Sequence, residues 1–254
     1  MSLAVHPSGT PAPSPAAAGP GPTPVPAGST GPPAQPWSAR LWQEIESTYA
    51  AILEHPFLTG LTDGTLDAGA FAAYVCQDVH YLRDYARALA VVGAKAPTHT
   101  DTAMLARHAA GAVDAELTLH ATLLADLGLD PVQVAAVPVA PTTRAYTSYL
   151  LATAYGGTFA EGLAAVLPCY SVYARVGAAL VERRSPDPRY QRWIDTYAGD
   201  AFADIVAEVL AVVDRVGPSL GPAEEARARG HVAVTARYEW MFWDAAYRRE
   251  VWPL

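Results

Sequence analysis

Three polar side chains stand where the helical rhythm of the sequence otherwise places apolar residues. Asp78 belongs to the stripe Phe71, Val75, Asp78, Tyr81, Leu82 and Tyr85, which follows the three-and-four spacing of one helix face. A carboxylate there is either paired with a buried partner or turned into a cavity. Glu239 stands in "YEWMFW", residues 238 to 243, among aromatic and apolar neighbours. Burial raises the pKa of a carboxyl group unless a positive partner compensates, and an acid poised near neutrality suits general acid–base chemistry. Cys169 follows Pro168 in "LPCYSVYARVG", residues 167 to 177, and shares a face with Val166, Tyr173, Val176 and Leu180. Pro168 removes a helical N–H and favours a kink at that point. A thiol so placed can serve as a nucleophile, although small buried thiols are common core filler and ion pairing is the ordinary reason for a buried acid. Spacing alone does not bring the three together.

Other chemistries are poorly represented. Glu116 and His120 lie at i, i+4 with His108 upstream, but a di-iron bundle needs Glu-x-x-His on two helices and no such pair occurs. The pair reads as a helix-surface interaction, and no metal or other cofactor is expected. Glycine-rich phosphate loops and nucleophile–histidine motifs are absent. The net charge is −8 and Lys95 is the single lysine, which argues against a nucleic-acid surface. No uninterrupted apolar run reaches the roughly 18 residues of a membrane span. Two cysteines, Cys76 and Cys169, form neither a disulfide framework nor a C-x-x-C pair, so the expected compartment is the reducing cytoplasm.

The elements that would carry these side chains are helical. Residues 1 to 36 hold eleven of the 22 prolines and no charged residue, a composition that cannot offset its ordering entropy and reads as a disordered tail. It lacks the basic n-region and apolar core of a secretory signal. Residues 37 to 254 suffice for one domain. A first helix is expected from Ser38 to about Leu53, ending at the "EHPF" break, and a second runs from the Asp67 cap to about Ala96. A third covers residues 100 to 127, and a short one carries Tyr146 to the Gly156-Gly157 stop. Thr158 and Glu161 form a capping-box match for the helix holding Cys169. After Ser185-Pro-Asp-Pro come a helix around Trp193 and Tyr197, one over 199 to 216, and one over 221 to about 249. No strand pattern is found, and the fold class is all-α, a bundle of seven or eight helices.

Three stretches together resemble a known family. "EHPFLTGLTDGTLDAGAFAAYVCQDVHYLRDYARALAVVGAKA", "LPCYSVYARVG" and "ARYEWMFWDAAY" are similar, in order and spacing, to signatures of TenA proteins, also called thiaminase II or aminopyrimidine aminohydrolases. The resemblance spans about Trp37 to Trp252; Val79-His80 depart from it, since many members carry aromatics there. It implies a haem-oxygenase-like helical fold without haem and a homotetramer. The implied activity removes the amino group of 4-amino-5-aminomethyl-2-methylpyrimidine, with thiamine hydrolysis second. Carried over by position, Cys169 matches the nucleophile, Asp78 the carboxylate that holds a ring nitrogen and the amine, and Glu239 the acid–base residue. Tyr146 and Tyr173 match hydroxyls near the ring nitrogens, and Tyr81, Tyr197 and Phe242 match aromatic walls. The alternative is a non-catalytic thiamine- or pyrimidine-binding regulator, which would not need the thiol–acid pair.

Overall fold

Capping and proline placement divide this chain into more helices than periodicity suggests. The computed structural model describes residues 35–115 and 121–254. The first half of the described chain forms α1 (Trp37–Gln43), α2 (Glu46–Leu53), α3 (Pro56–Asp63), α4 (Ala68–Ala94), α5 (His99–Ala115), α6 (Ala121–Asp126) and α7 (Pro131–Ala136). The second half forms α8 (Pro141–Gly156), α9 (Phe159–Val181), α10 (Pro188–Ala198), α11 (Asp200–Val216) and α12 (Pro222–Arg248). No strand occurs among the described residues. The reading of the tail, and the Glu116–His120 pair, fall outside them apart from residues 35 and 36.

The count of seven or eight helices is therefore too low. The expected first helix is interrupted at Ile45, whose ψ of 3° leaves the helical range, so α1 and α2 are separate. "EHPF" is a start as well as the expected break: α2 ends at Leu53, Pro56 occupies the first turn of α3 and the His55 Nδ1 accepts the Phe57 N–H at 3.1 Å. Asp130-Pro131 opens α7 in the same way, with the Asp130 carboxylate accepting the Val132 N–H at 2.8 Å. Asp67 caps α4 through the Ala70 N–H, and Thr158 with Glu161 closes both arms of the capping box on α9.

Helix α9 runs through the middle of the bundle and packs on α4, α8, α10, α11 and α12. It is long and apolar enough to cross a membrane by length and composition, with a mean hydropathy of 1.4, and two-thirds of that stretch is buried inside the protein. Close approaches depend on glycine. A Cβ at Gly177 would stand 2.5 Å from the Tyr197 carbonyl carbon, so glycine lets the backbone of α10 lie directly on α9. The loop before α8 is latched to α4. Gln77 donates to the Pro138 carbonyl at 3.0 Å and accepts the Ala140 N–H at 2.9 Å, and the His80 Nε2 donates to the Val137 carbonyl at 2.8 Å. At the other end of α8, the Lys95 ammonium donates to the carbonyls of Tyr155 and Gly157 at 2.8 and 2.7 Å.

Candidate active site

Helix spacing sets the site. On α4, Asp78, Tyr81 and Tyr85 stand three and four residues apart; on α9, Cys169 and Tyr173 are one turn apart; on α12, Glu239 and Phe242 are three apart. The α4 and α9 faces meet around a cavity of about 340 Å³, and the α12 pair stands in the layer behind it. Asp78, Tyr81, Cys169, Tyr173 and Tyr197 lie on its wall, with Tyr85 and Tyr170 beside them. Tyr146, Glu239 and Phe242 do not line it. Phe242 packs behind Tyr81 with ring centroids 5.6 Å apart and faces a separate cavity under the C-terminus, where Cys76 also lies. His80 is committed to its loop latch.

Electrostatics tie the layers together. Glu239 is only 1% exposed, and the Tyr146 hydroxyl donates to its Oε1 at 2.6 Å. Burial pushes its carboxyl up to about 8; the Tyr146 hydrogen bond opposes this and the charge of Asp78 adds to it. Glu239 is thus a neutral acid at neutral pH. The Cys169 thiol keeps part of its surface open to the cavity but is walled by protein. Burial raises its pKa well above the ordinary thiol value, followed by the charge of Glu239, while Tyr81 and Tyr85 oppose the rise. A thiol in this setting is protonated at rest and needs a base to become reactive.

The tyrosines divide by what holds their hydroxyls. Tyr173 and Tyr74 share a hydrogen bond at 3.1 Å, and Tyr85 donates to the Val166 carbonyl on α9 at 3.0 Å. The Tyr81 hydroxyl is buried beside the Cys169 thiol and the Tyr146 hydroxyl without closing a hydrogen bond to either. Asp78, 5% exposed, is within electrostatic reach of Tyr74, Tyr173, Tyr197, Cys169 and Glu239. Tyr85, Tyr170 and His108 on the wall were not singled out as pocket residues from sequence, because a tyrosine in an apolar stripe reads as core and a lone histidine carries no pattern. The one signal was position, since Tyr170 directly follows the thiol. Among the described residues, no three His, Cys, Asp or Glu side chains come together as a ligand set for a metal.

The helical bundle that carries this site has counterparts among known proteins. This chain belongs to the TENA/THI-4/PQQC family, whose model it matches over residues 42–249. It is 36% identical over 198 residues to the aminopyrimidine aminohydrolase of Bacillus subtilis strain 168, covering 78% of this chain and 84% of that one. It is also 36% identical over 217 residues to the thiamine biosynthesis multifunctional protein ThiED of Corynebacterium efficiens; there the match covers 85% of this chain but only 29% of the longer protein. A solved TenA homologue from P. horikoshii OT3 superposes with a TM-score of 0.78 at 30% identity, over 84% of this chain and 99% of that one. A Shewanella denitrificans domain described as having a heme oxygenase-like fold superposes with a TM-score of 0.67 at 18% identity, over 84% and 92% of the two chains. The fold is therefore the haem-oxygenase-like all-α bundle.

Proposed function

We propose that this chain is an aminopyrimidine aminohydrolase that hydrolyses 4-amino-5-aminomethyl-2-methylpyrimidine, with thiamine as a second substrate, in thiamine salvage. The observation that carries the reading is the pairing of a cavity-facing thiol, Cys169, with a carboxyl group, Glu239, held un-ionised in the layer behind it. The relatives named above as aminopyrimidine aminohydrolase and thiamine biosynthesis protein support it.

In this reading Asp78 holds a protonated ring nitrogen and the 4-amino group, making the ring carbon electrophilic. The Cys169 thiolate adds to that carbon, and the displaced electron pair settles on the ring nitrogen. Glu239, hydrogen-bonded to Tyr146 behind the Tyr81 wall, supplies a proton for the amine, and ammonia leaves with the C–N electron pair. The Glu239 carboxylate then accepts a proton from water as it adds to the same carbon, and sulfur departs with the C–S pair. Tyr81, Tyr173 and Tyr197 wall the flat ring, and Phe242 backs Tyr81. A regulator of the same ring would bind without this sequence of steps. Cys169→Ser is expected to abolish ammonia release while ring binding, followed by calorimetry, and melting temperature stay near wild type. Turnover near the wild-type rate in that variant would exclude the covalent route. The proposal includes a homotetramer in the cytoplasm, checked by light scattering and cell fractionation.

A further inference from the structure

A row of hydrogen-bonded groups enters the cavity wall between α5 and α11. Arg107 donates to the Glu208 Oε2 at 3.0 Å, and the His108 Nε2 stands 3.3 Å from the same oxygen. The His108 Nδ1 stands 3.1 Å from the Tyr170 hydroxyl. A carboxylate only accepts, so Nε2 carries the imidazole proton, Nδ1 is the free base, and Tyr170 donates to it. Tyr170 is the neighbour of Cys169 on α9, and its ring lies 5.9 Å from that of Tyr85. The Tyr85 hydroxyl, hydrogen-bonded to the Val166 carbonyl, stands on the same cavity wall as Tyr170 and Cys169 and lies within electrostatic reach of both. The hydrogen-bonded row thus runs from solvent, where the side chains of Arg107 and Glu208 are 62% and 49% exposed, to Tyr170, with Tyr85 and the Cys169 thiol beside it on the cavity wall.

We propose that His108, backed by Glu208, takes up the proton of the Cys169 thiol through the hydroxyls of Tyr85 and Tyr170. The S–H bond breaks with its electron pair left on sulfur, and the proton passes to the Tyr85 oxygen. The Tyr85 proton, turned about its C–O bond from the Val166 carbonyl, passes to Tyr170, and the Tyr170 proton reaches the His108 Nδ1. The resulting imidazolium is balanced by Glu208. His108 is a positioning residue, acting on sulfur only through the tyrosines. The inference rests on the reading of Cys169 as the nucleophile, and it fills a gap in that reading. Burial keeps the Glu239 carboxyl protonated at neutral pH, and in the proposed reaction Asp78 serves the ring, which leaves the thiol without an assigned base.

The groups that face His108 favour this role. Burial holds the imidazole below its ordinary pKa, the Glu208 carboxylate opposes the drop, and Arg107 adds to it, so the ring is neutral and able to accept. Tyr170 and Tyr85 are both raised by burial and by the charge of Cys169, so neither hydroxyl ionises in its own right. Around sulfur, Tyr81 and Tyr85 come from α4 with Asp78, and Glu239 comes from α12.

The test is the pH dependence of Cys169 alkylation by iodoacetamide, in a Cys76→Ala background so that a single thiol is read. His108→Gln and Tyr170→Phe are each expected to move the alkylation profile to higher pH and to slow the reaction at neutral pH about tenfold, the equivalent of one pKa unit. The double variant should be no slower than either single one, because both interrupt one row. A folded His108→Gln or Tyr170→Phe protein with an unchanged profile overturns the proposal. Should both buried variants fail to fold, Glu208→Gln decides from the exposed end: a shift in the same direction supports the row, and an unchanged profile overturns it. No substrate enters this assay, so a shifted profile in a protein that releases no ammonia keeps the row and removes the proposed reaction.

Discussion

Burying the Glu239 carboxyl against Tyr146 fixes a pH window as well as a protonation state. Its folded pKa of about 8 lies above the ordinary 4.5 that it takes in the unfolded chain. Between those values the folded protein holds a proton that the unfolded chain releases. The stabilisation is complete below the ordinary value and is lost as pH rises through about 8. Wild-type melting temperature is therefore expected to fall between pH 5 and 8 relative to Glu239→Gln, which has no proton to lose; parallel curves in a thermal scan would contradict the assignment. Turnover should lose its alkaline limb in the same variant. The two carboxyl groups should also fail differently. Asp78→Asn keeps the shape but loses the charge that grips the ring, so affinity and kcat both drop. Glu239→Gln should lower kcat by roughly 10²–10⁴-fold, the usual worth of general acid–base catalysis, with KM changed much less. Equal loss of binding in both variants would make Glu239 a binding residue.

Gly177 shows how an element, rather than a side chain, shapes the cavity. Its missing Cβ lets α10 carry Tyr197 against Tyr173, with ring centroids 4.8 Å apart. Gly177→Ala forces the two helices apart, and overpacking of this kind costs about 1–3 kcal/mol. A lower melting temperature with a raised KM is expected, and an unchanged KM would mean that the Tyr197 wall does not contact substrate. The two carboxyl groups stand out in the sequence because charge on an apolar helix face violates the periodicity that surrounds it, whereas Cys169 is marked only by its place after Pro168 and by the family resemblance. Long helices such as α4 and α9 were legible for the same reason, each having a cap and many turns of one rhythm. The break at Ile45 was not, because it depends on a single ψ that no residue type there demands. The starts of α3 and α7 were missed because a proline preceded by His55 or Asp130 reads equally as a stop. The wall residues Tyr85, Tyr170 and His108 become visible only when helices from distant parts of the chain meet.

At the scale of the whole molecule, residues Gln35–Leu254 form one compact unit that contains every candidate site residue. We propose that the segment before it is dispensable for the chemistry. Deleting residues 1 to 35 is expected to leave melting temperature and ammonia release almost unchanged, and a large fall in either would make that segment part of the working protein. The bundle is also closed in one place by a group that occurs once in the sequence. Lys95 ties the end of α4 to the end of α8 through two carbonyl oxygens, and no other lysine exists to compete with it. An acylating dye therefore has a single side-chain amine to find, and that amine reacts more slowly while it is held as an ammonium by the two carbonyls. Its labelling rate therefore reports how firmly one side chain holds this helix junction, with no probe added to the sequence.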